Sequence, residues 1–491
     1  MSIDFLYEIY KQHSVVSTDS RRTPDGCLFF ALKGETFDGN QFAAKALEGG
    51  AAVAVVDDAS VVPDGDLLSA AQPDGHYFVV ADVLETLQAL AAHHRQQFGG
   101  PVLQVTGTNG KTTTKELLAT VLSKKYKVLY TEGNLNNHIG VPLTLLRLRP
   151  EEHELAIIET GANHPGEIRL LTNIVRPDYG LVTNVGRAHL EGFGSFEGVK
   201  RTKGELYDYL SQSSTARIFA CASNPDLCSM LAERGIDITS DKCISYAHEG
   251  DAAASTLCTG TVAACNPTLT VTWQPAACAQ QPAASAASSP AWGCGSAFPA
   301  EHLTTATRLI GDYNLDNVLA AICAGLHFGV APADISAALE AYQPSLGRSE
   351  YRRTDSNELI IDAYNANLTS MLAALRNFAA ISHEHKMVVL GDMRELGAAS
   401  YEAHERVVRA ALESGVEEAW FVGEEFADVL SQAATQPVAQ ADTTNRRSPR
   451  VRTYADVQAV AEAIAAEKPE GRLILIKGSN STRLHQLPAI L

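Results

Sequence analysis

The stretch Thr106-Gly107-Thr108-Asn109-Gly110-Lys111-Thr112-Thr113 decides the fold class of this chain. It follows an apolar run at residues 102–105 and precedes a helix-forming segment at 114–122, so it lies between a predicted strand and a predicted helix. Glycines allow such a turn to direct backbone N–H groups at an anion, and the helix N-terminus adds partial positive charge. The stretch therefore predicts a phosphate-binding loop and a nucleoside triphosphate as ligand.

Single side chains of this loop have predicted roles. Lys111 is expected to neutralise β/γ-phosphate oxygens, and the Thr112 hydroxyl is expected to bind Mg²⁺. The pattern is an incomplete match to G-x-x-x-x-G-K-[ST], because Val105 stands where the first glycine belongs. A Gly-Lys-Thr run also occurs at ordinary helix starts, so the flanking strand and helix are what favour a nucleotide. The other predicted nucleotide contacts are Gly107, Thr108, Asn109, Gly110 and Thr113.

Composition limits the class of protein. The chain has 491 residues, of which 45% are hydrophobic and 20% charged, as expected for about three globular domains. The net charge of −18 argues against broad nucleic-acid binding. Nine cysteines without any C-x-x-C spacing argue against a disulfide framework or a zinc knuckle. The N-terminus has no signal-peptide pattern, and no run of about 18 apolar residues is present. We therefore expect a cytoplasmic protein without stable membrane insertion.

The order of strand and helix patterns predicts an α/β protein of three domains. A small N-terminal α/β domain is expected over 1–99, since a helical pattern ends at Gly99-Gly100-Pro101. A central P-loop domain with a parallel sheet is expected over 100–346, and a C-terminal Rossmann-like domain over 347–491. The Ala-, Ser- and Pro-rich segment 251–299 is predicted to be a peripheral, partly disordered insertion with one strand pair near 269–272.

Polar residues directly follow several predicted parallel strands. Ligands of open α/β sheets lie beyond the carboxyl ends of the strands, so these residues are candidates for a site. Glu159 could hold Mg²⁺ opposite Thr112, although a solvated loop acid is the alternative. His189 is a less usual magnesium ligand, because Mg²⁺ prefers oxygen. Asp362 and Asp392 end two later strands, where helix capping is the competing use.

The spacing of two basic residues alone does not decide their roles. Lys203 stands in Lys200-Arg201-Thr202-Lys203, a cluster that is usually a solvated helix face. Arg348 follows Gly347 at the predicted start of the third domain. An arginine there could contact a phosphate, and a surface salt bridge is an equal alternative.

Several of these motifs together resemble the Mur ligase family of peptidoglycan synthesis. The resemblance rests on the stretches 106–113, 159–161, 184–190 and 202–206. Further stretches resemble the family member that joins D-alanyl-D-alanine to UDP-N-acetylmuramoyl-tripeptide; they are 19–21, 33–35, 38–39, 134–142, 362–367 and 477–479. The resemblance covers nearly the whole chain except 251–299. Leu368 departs from it, because a proline usually follows the Asn-Ala-Asn motif.

The resemblance implies an ATP- and Mg²⁺-dependent amide ligase that acts through an acyl phosphate in cell-wall biogenesis, and we expect it to be a monomer. It implies catalytic roles for Lys111, Lys203, His189 and Arg348. Lys203 would be carbamylated, and the implied metal ligands are Thr112, Glu159, His189 and Lys203. Further implied nucleotide contacts are Asn314, Asn317, Arg348 and Asp362. The implied substrate contacts are Asp19, Ser20, Arg21, Asn136, Asn137, Asn365 and Asn367.

Three alternatives stay open beside this interpretation. The family ligase that adds the third amino acid shares the Asp-Ser-Arg and Asp-Gly segments, but the run 362–367 argues against it. Folylpolyglutamate synthetase shares the phosphate loop and should lack an N-terminal unit that binds UDP. A nucleotide-gated switch without ligase turnover would not need a third α/β unit with polar loops at its strand ends.

Overall fold

The computed structural model describes residues 2–252, 256–276, 301–344, 347–435 and 449–491. In these ranges strands and helices alternate in three consecutive units, and each unit is built on its own sheet. The predicted three-part α/β fold is thereby confirmed. The boundaries at 99/100 and 346/347 stay predictions. Within the same ranges, no helix is long and apolar enough to cross a bilayer.

The N-terminal unit is a small parallel sheet with helices packed against it. Among the described residues its four strands lie in the order β1-β2-β3-β4. They are β1 (Val16–Ser17), β2 (Leu28–Phe30), β3 (Val53–Val56) and β4 (Tyr77–Val79), and the helices are α1 (Ile3–Gln12), α2 (Ala43–Glu48) and α3 (Val83–Gln96). Leu87 and Leu90 of α3 share one hydrophobic core with Val141 and Leu145 of the central unit. This shared core fixes the N-terminal unit against the central one.

The central unit contains a nine-stranded sheet in the described residues, in the order β13-β12-β11-β10-β9-β8-β5-β7-β6. Its strands are β5 (Val102–Thr106), β6 (Val128–Tyr130), β7 (Leu155–Glu159), β8 (Tyr179–Val182), β9 (Arg217–Cys221), β10 (Cys243–His248), β11 (Thr256–Cys265), β12 (Thr268–Pro275) and β13 (Leu303–Ile310). Its helices are α4 (Lys111–Leu122), α5 (Gly140–Leu145), α6 (Glu167–Val175), α7 (Leu190–Phe193), α8 (Phe196–Ser211), α9 (Pro225–Ala232), α10 (Leu315–His327) and α11 (Pro332–Ala341).

The strand order places the phosphate-loop candidate at a switch point of the central sheet. β5 pairs in parallel with β7 on one side and with β8 on the other. The chain leaves β5 for β6 and β7 and then crosses to β8 on the opposite side. A crevice opens at the carboxyl end of a strand where the order reverses in this way, and ligands of doubly wound sheets bind there.

The predicted insertion at 251–299 requires a correction for residues 256–276. The strand pair near 269–272 is confirmed, because β11 and β12 pair antiparallel. Both strands belong to the central sheet, and they contribute Cys258, Leu269, Val271 and Trp273 to its core. Small and polar residues between these side chains concealed the alternating pattern of a half-buried strand. Residues 253–255 and 277–300 lie outside the described part of the chain.

The C-terminal unit is a six-stranded sheet in the described residues, in the order β14-β15-β19-β16-β17-β18. Its strands are β14 (Glu350–Arg353), β15 (Glu358–Asp362), β16 (Lys386–Gly391), β17 (Glu418–Val422), β18 (Arg450–Tyr454) and β19 (Leu473–Lys477), and its helices are α12 (Leu368–Ala380), α13 (Ser400–Glu413), α14 (Glu424–Thr435) and α15 (Val457–Glu467). All pairings except β14 with β15 are parallel. The loops after β15 and β16 therefore leave the same edge of this sheet.

Candidate active site

The loop between β5 and α4 has a backbone that only glycine fits at two positions. Gly107 has a φ of 142° and Gly110 a φ of 77°. A Cβ atom on Gly107 would lie 2.0 Å from Thr183 Oγ1, and one on Gly110 would lie 2.6 Å from Asn317 Oδ1. Gly110 also forms the N-cap of α4, so the positive end of that helix points into the loop. This geometry is that of an anion-binding turn.

Lys111 folds back over this turn. Its Nζ donates to the carbonyl oxygens of Gly107 at 2.8 Å and of Thr108 at 2.9 Å. Burial lowers the pKa of Lys111, while Glu159 opposes that shift. A desolvated ammonium gains more from a nearby anion than an exposed one does. Lys111 is therefore placed to interact strongly with a phosphate bound by the turn.

A buried carboxylate at the end of β7 faces the start of α4. Glu159 is 1% exposed, and its Oε1 accepts from Thr112 Oγ1 at 3.1 Å and from Asn136 Nδ2 at 2.8 Å. Its Oε2 is buried without a hydrogen-bond partner among the described residues. A buried carboxylate oxygen is costly to leave unpaired. The group thus fits a hard divalent cation such as Mg²⁺, which prefers carboxylate and hydroxyl oxygens.

Lys203 is an amine buried on helix α8. Its side chain is 2% exposed, and its Nζ contacts the Ala162 carbonyl oxygen at 3.3 Å and the Phe193 ring at 5.3 Å from the centroid. Burial and the neighbouring Lys111 hold the pKa of Lys203 well below its usual range. A lowered pKa increases the neutral, nucleophilic fraction of this amine. The alternative of a solvated helix face is wrong for this residue.

His189 connects the central and C-terminal units. It has a positive φ of 50°, and its Nδ1 is hydrogen-bonded to Glu395 of the loop after β16. Burial lowers the pKa of His189, although Glu395 opposes this shift. Because Glu395 engages Nδ1, a metal ion would have to bind through Nε2.

One further contact joins these units beside the phosphate-loop candidate, and a second contact lies within the C-terminal unit. Asn367 Nδ2 donates to Asn109 Oδ1 at 2.7 Å, while Asn367 also forms the N-cap of α12. The Arg348 guanidinium stacks on Tyr364, 3.5 Å from the ring centroid. A cavity of about 240 Å³ lies between the units and is lined by His189, Asn365, Asn367, Arg394, Glu395 and Ser479. The C-terminal unit therefore closes over the carboxyl edge of the central sheet.

Family models match this chain in three consecutive blocks. The model described as "Mur ligase family, catalytic domain" matches residues 13–95, and the "Mur ligase middle domain" matches 105–325. The "Mur ligase, glutamate ligase domain" matches 347–480. The chain belongs to the Mur ligase family.

Individual relatives extend over nearly the whole length of the chain. The UDP-N-acetylmuramoyl-tripeptide–D-alanyl-D-alanine ligase of Escherichia coli strain K12 is 33% identical over 96% of this chain and 92% of its own. The enzyme of that name from Bacillus subtilis strain 168 is 31% identical over the same shares. A crystal structure of MurF from Acinetobacter baumannii is 28% identical and superposes with a TM-score of 0.75, covering 96% of this chain and 92% of that one.

The family resemblance implies nucleotide or substrate contacts for four residues that are hydrogen-bonded to other residues of the protein in this structure. Asn317 accepts from Thr114 Oγ1 at 3.0 Å and donates to Asn314 Oδ1 at 2.8 Å, so both asparagines brace the start of α10. Asp362 accepts from Lys477, its register neighbour on β19. Asn137 Oδ1 accepts from the backbone N–H of Gly140, the first residue of α5, at 2.8 Å.

The structure places other predicted residues away from this centre or in a structural role. Asp19 and Arg21 pair with each other at 2.8 Å on the surface of the N-terminal unit, with Ser20 between them. Asp392 caps α14 by accepting from the backbone N–H groups of Glu425 and Phe426, each at 3.2 Å. The helix-capping alternative for Asp392 is thereby confirmed.

Arg394 and Glu395 of the cleft were not predicted from the sequence. They follow the β16 strand end and line the cavity, and Glu395 contacts His189. Asp392 was chosen because polar residues follow a parallel strand at that point. The same pattern includes Arg394 and Glu395 and could have identified them.

Proposed function

We propose that this chain is the ATP-dependent ligase that joins D-alanyl-D-alanine to UDP-N-acetylmuramoyl-tripeptide in peptidoglycan precursor synthesis. The observation that carries the proposal is the convergence of Lys111, the unpaired Glu159 oxygen and the buried Lys203 amine at the carboxyl edge of the central sheet. The C-terminal unit covers this edge. The relatives named for this activity match 96% of the chain.

In the proposed reaction, a carboxylate oxygen of the tripeptide attacks the γ-phosphorus of ATP and ADP leaves. The amine of D-alanyl-D-alanine then attacks the acyl carbon, an amide forms, and phosphate departs as the amine loses a proton. Phosphoryl transfer of this kind depends on positioned charge rather than on a protein nucleophile. Lys111 and the N–H groups of the α4 N-terminus would supply positive charge at the β/γ-phosphates. The charge of Arg348 helps to lower the pKa of Lys111, so the two side chains lie within electrostatic range. Arg348 would therefore add to this positive region.

We propose that Thr112, Glu159, His189 and carbamylated Lys203 hold Mg²⁺. The lowered pKa of Lys203 supports this, since CO₂ reacts with a neutral amine and the carbamate product is an anionic oxygen ligand. Bound Mg²⁺ would neutralise charge on the transferring phosphoryl group. Asn136 would orient Glu159 through the hydrogen bond already present.

The remaining residues would bind the substrates or the nucleotide and would not take part in the chemical steps. Asp19, Ser20 and Arg21 would contact the uridine nucleotide end of the substrate, with Asn136 and Asn137 nearer the peptide. Asn365 and Asn367 line the cavity between the units, which has the polar walls that a dipeptide needs. Asn314, Asn317 and Asp362 would contact the nucleotide only after exchanging some of their present partners. We also propose that the chain acts in the cytoplasm as a monomer.

The test is a phosphate-release assay in which each substrate is omitted in turn. We expect release to require ATP, UDP-N-acetylmuramoyl-tripeptide and D-alanyl-D-alanine together, and Lys111→Ala to abolish it. Hydrolysis that is indifferent to both peptides would favour a nucleotide-gated switch. Turnover with a UDP-dipeptide and a free amino acid would favour the ligase that adds the third residue. Competing tripeptides ending in meso-diaminopimelate or lysine would identify the preferred third residue.

A further inference from the structure

Three metal-binding side chains meet in the central unit outside the site described above. Cys221 ends β9, His248 ends the neighbouring β10, and Asp316 lies in the first turn of α10. His248 Nε2 is 2.7 Å from Asp316 Oδ1, and Cys221 Sγ is 3.7 Å from the same oxygen. One ligand atom from each residue lies within 4.8 Å of the other two. The three residues come from distant parts of the sequence, so no short motif predicts their meeting.

We propose that Cys221, His248 and Asp316 bind a divalent transition metal of the zinc class. Ligands at about 2.0–2.3 Å around a tetrahedral ion stand roughly 3.5 Å apart, so the observed separations need only small side-chain adjustments. A thiol, an imidazole and a carboxylate form a donor set that suits Zn²⁺ and is unsuited to Mg²⁺. Three protein ligands leave the fourth position for water. None of these residues belongs to the proposed magnesium site.

The surroundings allow a metal ion to reach all three ligands. Cys221 is 1% exposed, whereas His248 and Asp316 are partly exposed, so an ion could enter from the solvent side and meet the thiol at the bottom. His248 is further fixed because its backbone N–H donates to Ser223 Oγ at 2.8 Å. On binding, the thiol S–H releases its proton to solvent and the thiolate takes the metal, while the imidazole binds in its neutral form.

A metal ion at this site would connect the ends of β9 and β10 to α10, the helix that contacts the phosphate-loop candidate. Asp316 directly precedes Asn317, which bonds Thr114 of α4 and packs against Gly110. A bound ion would therefore tie α10 to β9 and β10 just behind that loop. Because the folded chain alone presents the three ligands together, metal binding should also raise the resistance of the chain to unfolding.

Cobalt(II) added to the purified full chain, in the presence of a non-thiol reductant, provides the test. Thiolate-bound Co²⁺ gives an intense near-ultraviolet charge-transfer absorption that oxygen and nitrogen ligands lack. We expect one such ion per chain in the wild type and no such absorption in Cys221→Ser. Loss of ligand-supporting contacts typically weakens metal binding 10–100-fold, so His248→Gln, which removes a ligand itself, should weaken cobalt binding at least about 100-fold.

Matched variants separate this site from others. Cys228 lies nearby on α9, and its Sγ contacts the Ala222 carbonyl oxygen at 3.4 Å, so Cys228→Ser should retain the absorption. Glu159→Gln should retain it as well, because that change affects only the proposed magnesium site. Zinc should raise the urea midpoint of the wild type and leave that of His248→Gln unchanged. The proposal is overturned if the wild type shows no charge-transfer absorption or if the absorption persists in Cys221→Ser. It is also overturned if His248→Gln binds cobalt as tightly as the wild type.

Discussion

At the residue scale, Lys111 is the side chain whose charge the proposed reaction needs most. Its ammonium lies partly buried over the loop and is held by two backbone carbonyl oxygens. Lys111→Ala should reduce kcat at least about 100-fold, since removing one positioned charge from a transition state costs several kcal/mol. Steady-state phosphate release measures this. Lys124→Ala, an exposed change just beyond the same helix, is the control. A folded Lys111→Ala enzyme with near-normal kcat would contradict the prediction that residues 106–113 bind phosphate.

Lys203 provides a second test at this scale. Lys203→Ala should cripple turnover, and added bicarbonate should not restore it, because no amine remains to be carbamylated. Arg201→Ala on the same helix is exposed and should change stability by less than about 0.5 kcal/mol with little effect on activity. Carbon-13 NMR with labelled bicarbonate should show a carbamate signal in the wild type that Lys203→Ala lacks. An active Lys203→Ala enzyme would contradict the assignment.

The residues that could be predicted from the sequence are those whose neighbours in space are also neighbours in the chain. The loop 107–113 is local, so its glycines, lysine and threonine could be found from one short stretch. The partner of His189 could not be found, because Glu395 comes from another sheet more than two hundred residues later. The burial of Lys203 was equally hidden, since its polar neighbours in sequence imitate a solvated helix face.

At the scale of elements, the buried parallel strands could be predicted and the edge strands could not. Strands such as β5, β7 and β16 lie between two layers of helices and read as continuous apolar runs. The edge strands β14 and β18 are partly or fully exposed along their length, so they carry no hydrophobic signal. Tertiary pairing rather than local pattern decides such strands.

Helix α10 carries a prediction about acid stability at its C-terminal end. His327 packs edge-on against Tyr179 and Phe219, and burial lowers its pKa to about 4. An unfolded histidine has a pKa of about 6.5, so the unfolded state binds more protons between these values. Stability should therefore fall as the pH is lowered through this window, by about 2 kcal/mol at pH 5 relative to neutral pH.

Urea unfolding of the central unit at pH 7.5 and pH 5 measures this effect. His327→Gln should lose about 2 kcal/mol less than the wild type between the two pH values, whatever its stability at pH 7.5. His138→Gln, an exposed change, should follow the wild type. The same acid loss in His327→Gln as in the wild type would exclude a role for this imidazole.

At the scale of the whole molecule, the proposed ligation depends on the C-terminal unit closing over the central sheet. Arg348 stands at the start of that unit and stacks on Tyr364 beside the cleft. Arg348→Ala should lower kcat/KM for D-alanyl-D-alanine at least about tenfold and raise dipeptide-independent ATP hydrolysis, since incomplete closure admits water to the acyl phosphate. The exposed Arg353→Ala on β14 is the control.

Small-angle scattering tests the closure itself. An ATP analogue together with UDP-tripeptide should reduce the radius of gyration of the wild type in solution, because bound ligands favour the closed arrangement in which Asn367 contacts Asn109. The reduction should be smaller in Arg348→Ala. An unchanged radius in the wild type, or wild-type dipeptide kinetics in Arg348→Ala, would contradict this role.

The most direct test of the central claim follows the oxygen atoms of the tripeptide carboxylate. With both carboxylate oxygens labelled as ¹⁸O, an acyl phosphate intermediate transfers one labelled oxygen to the phosphate that departs when the amide forms. Mass spectrometry of the phosphate and of the UDP-linked product should therefore show one ¹⁸O in each. Unlabelled phosphate beside an amide product that keeps one label, or the absence of any amide product, would contradict the proposed ligation.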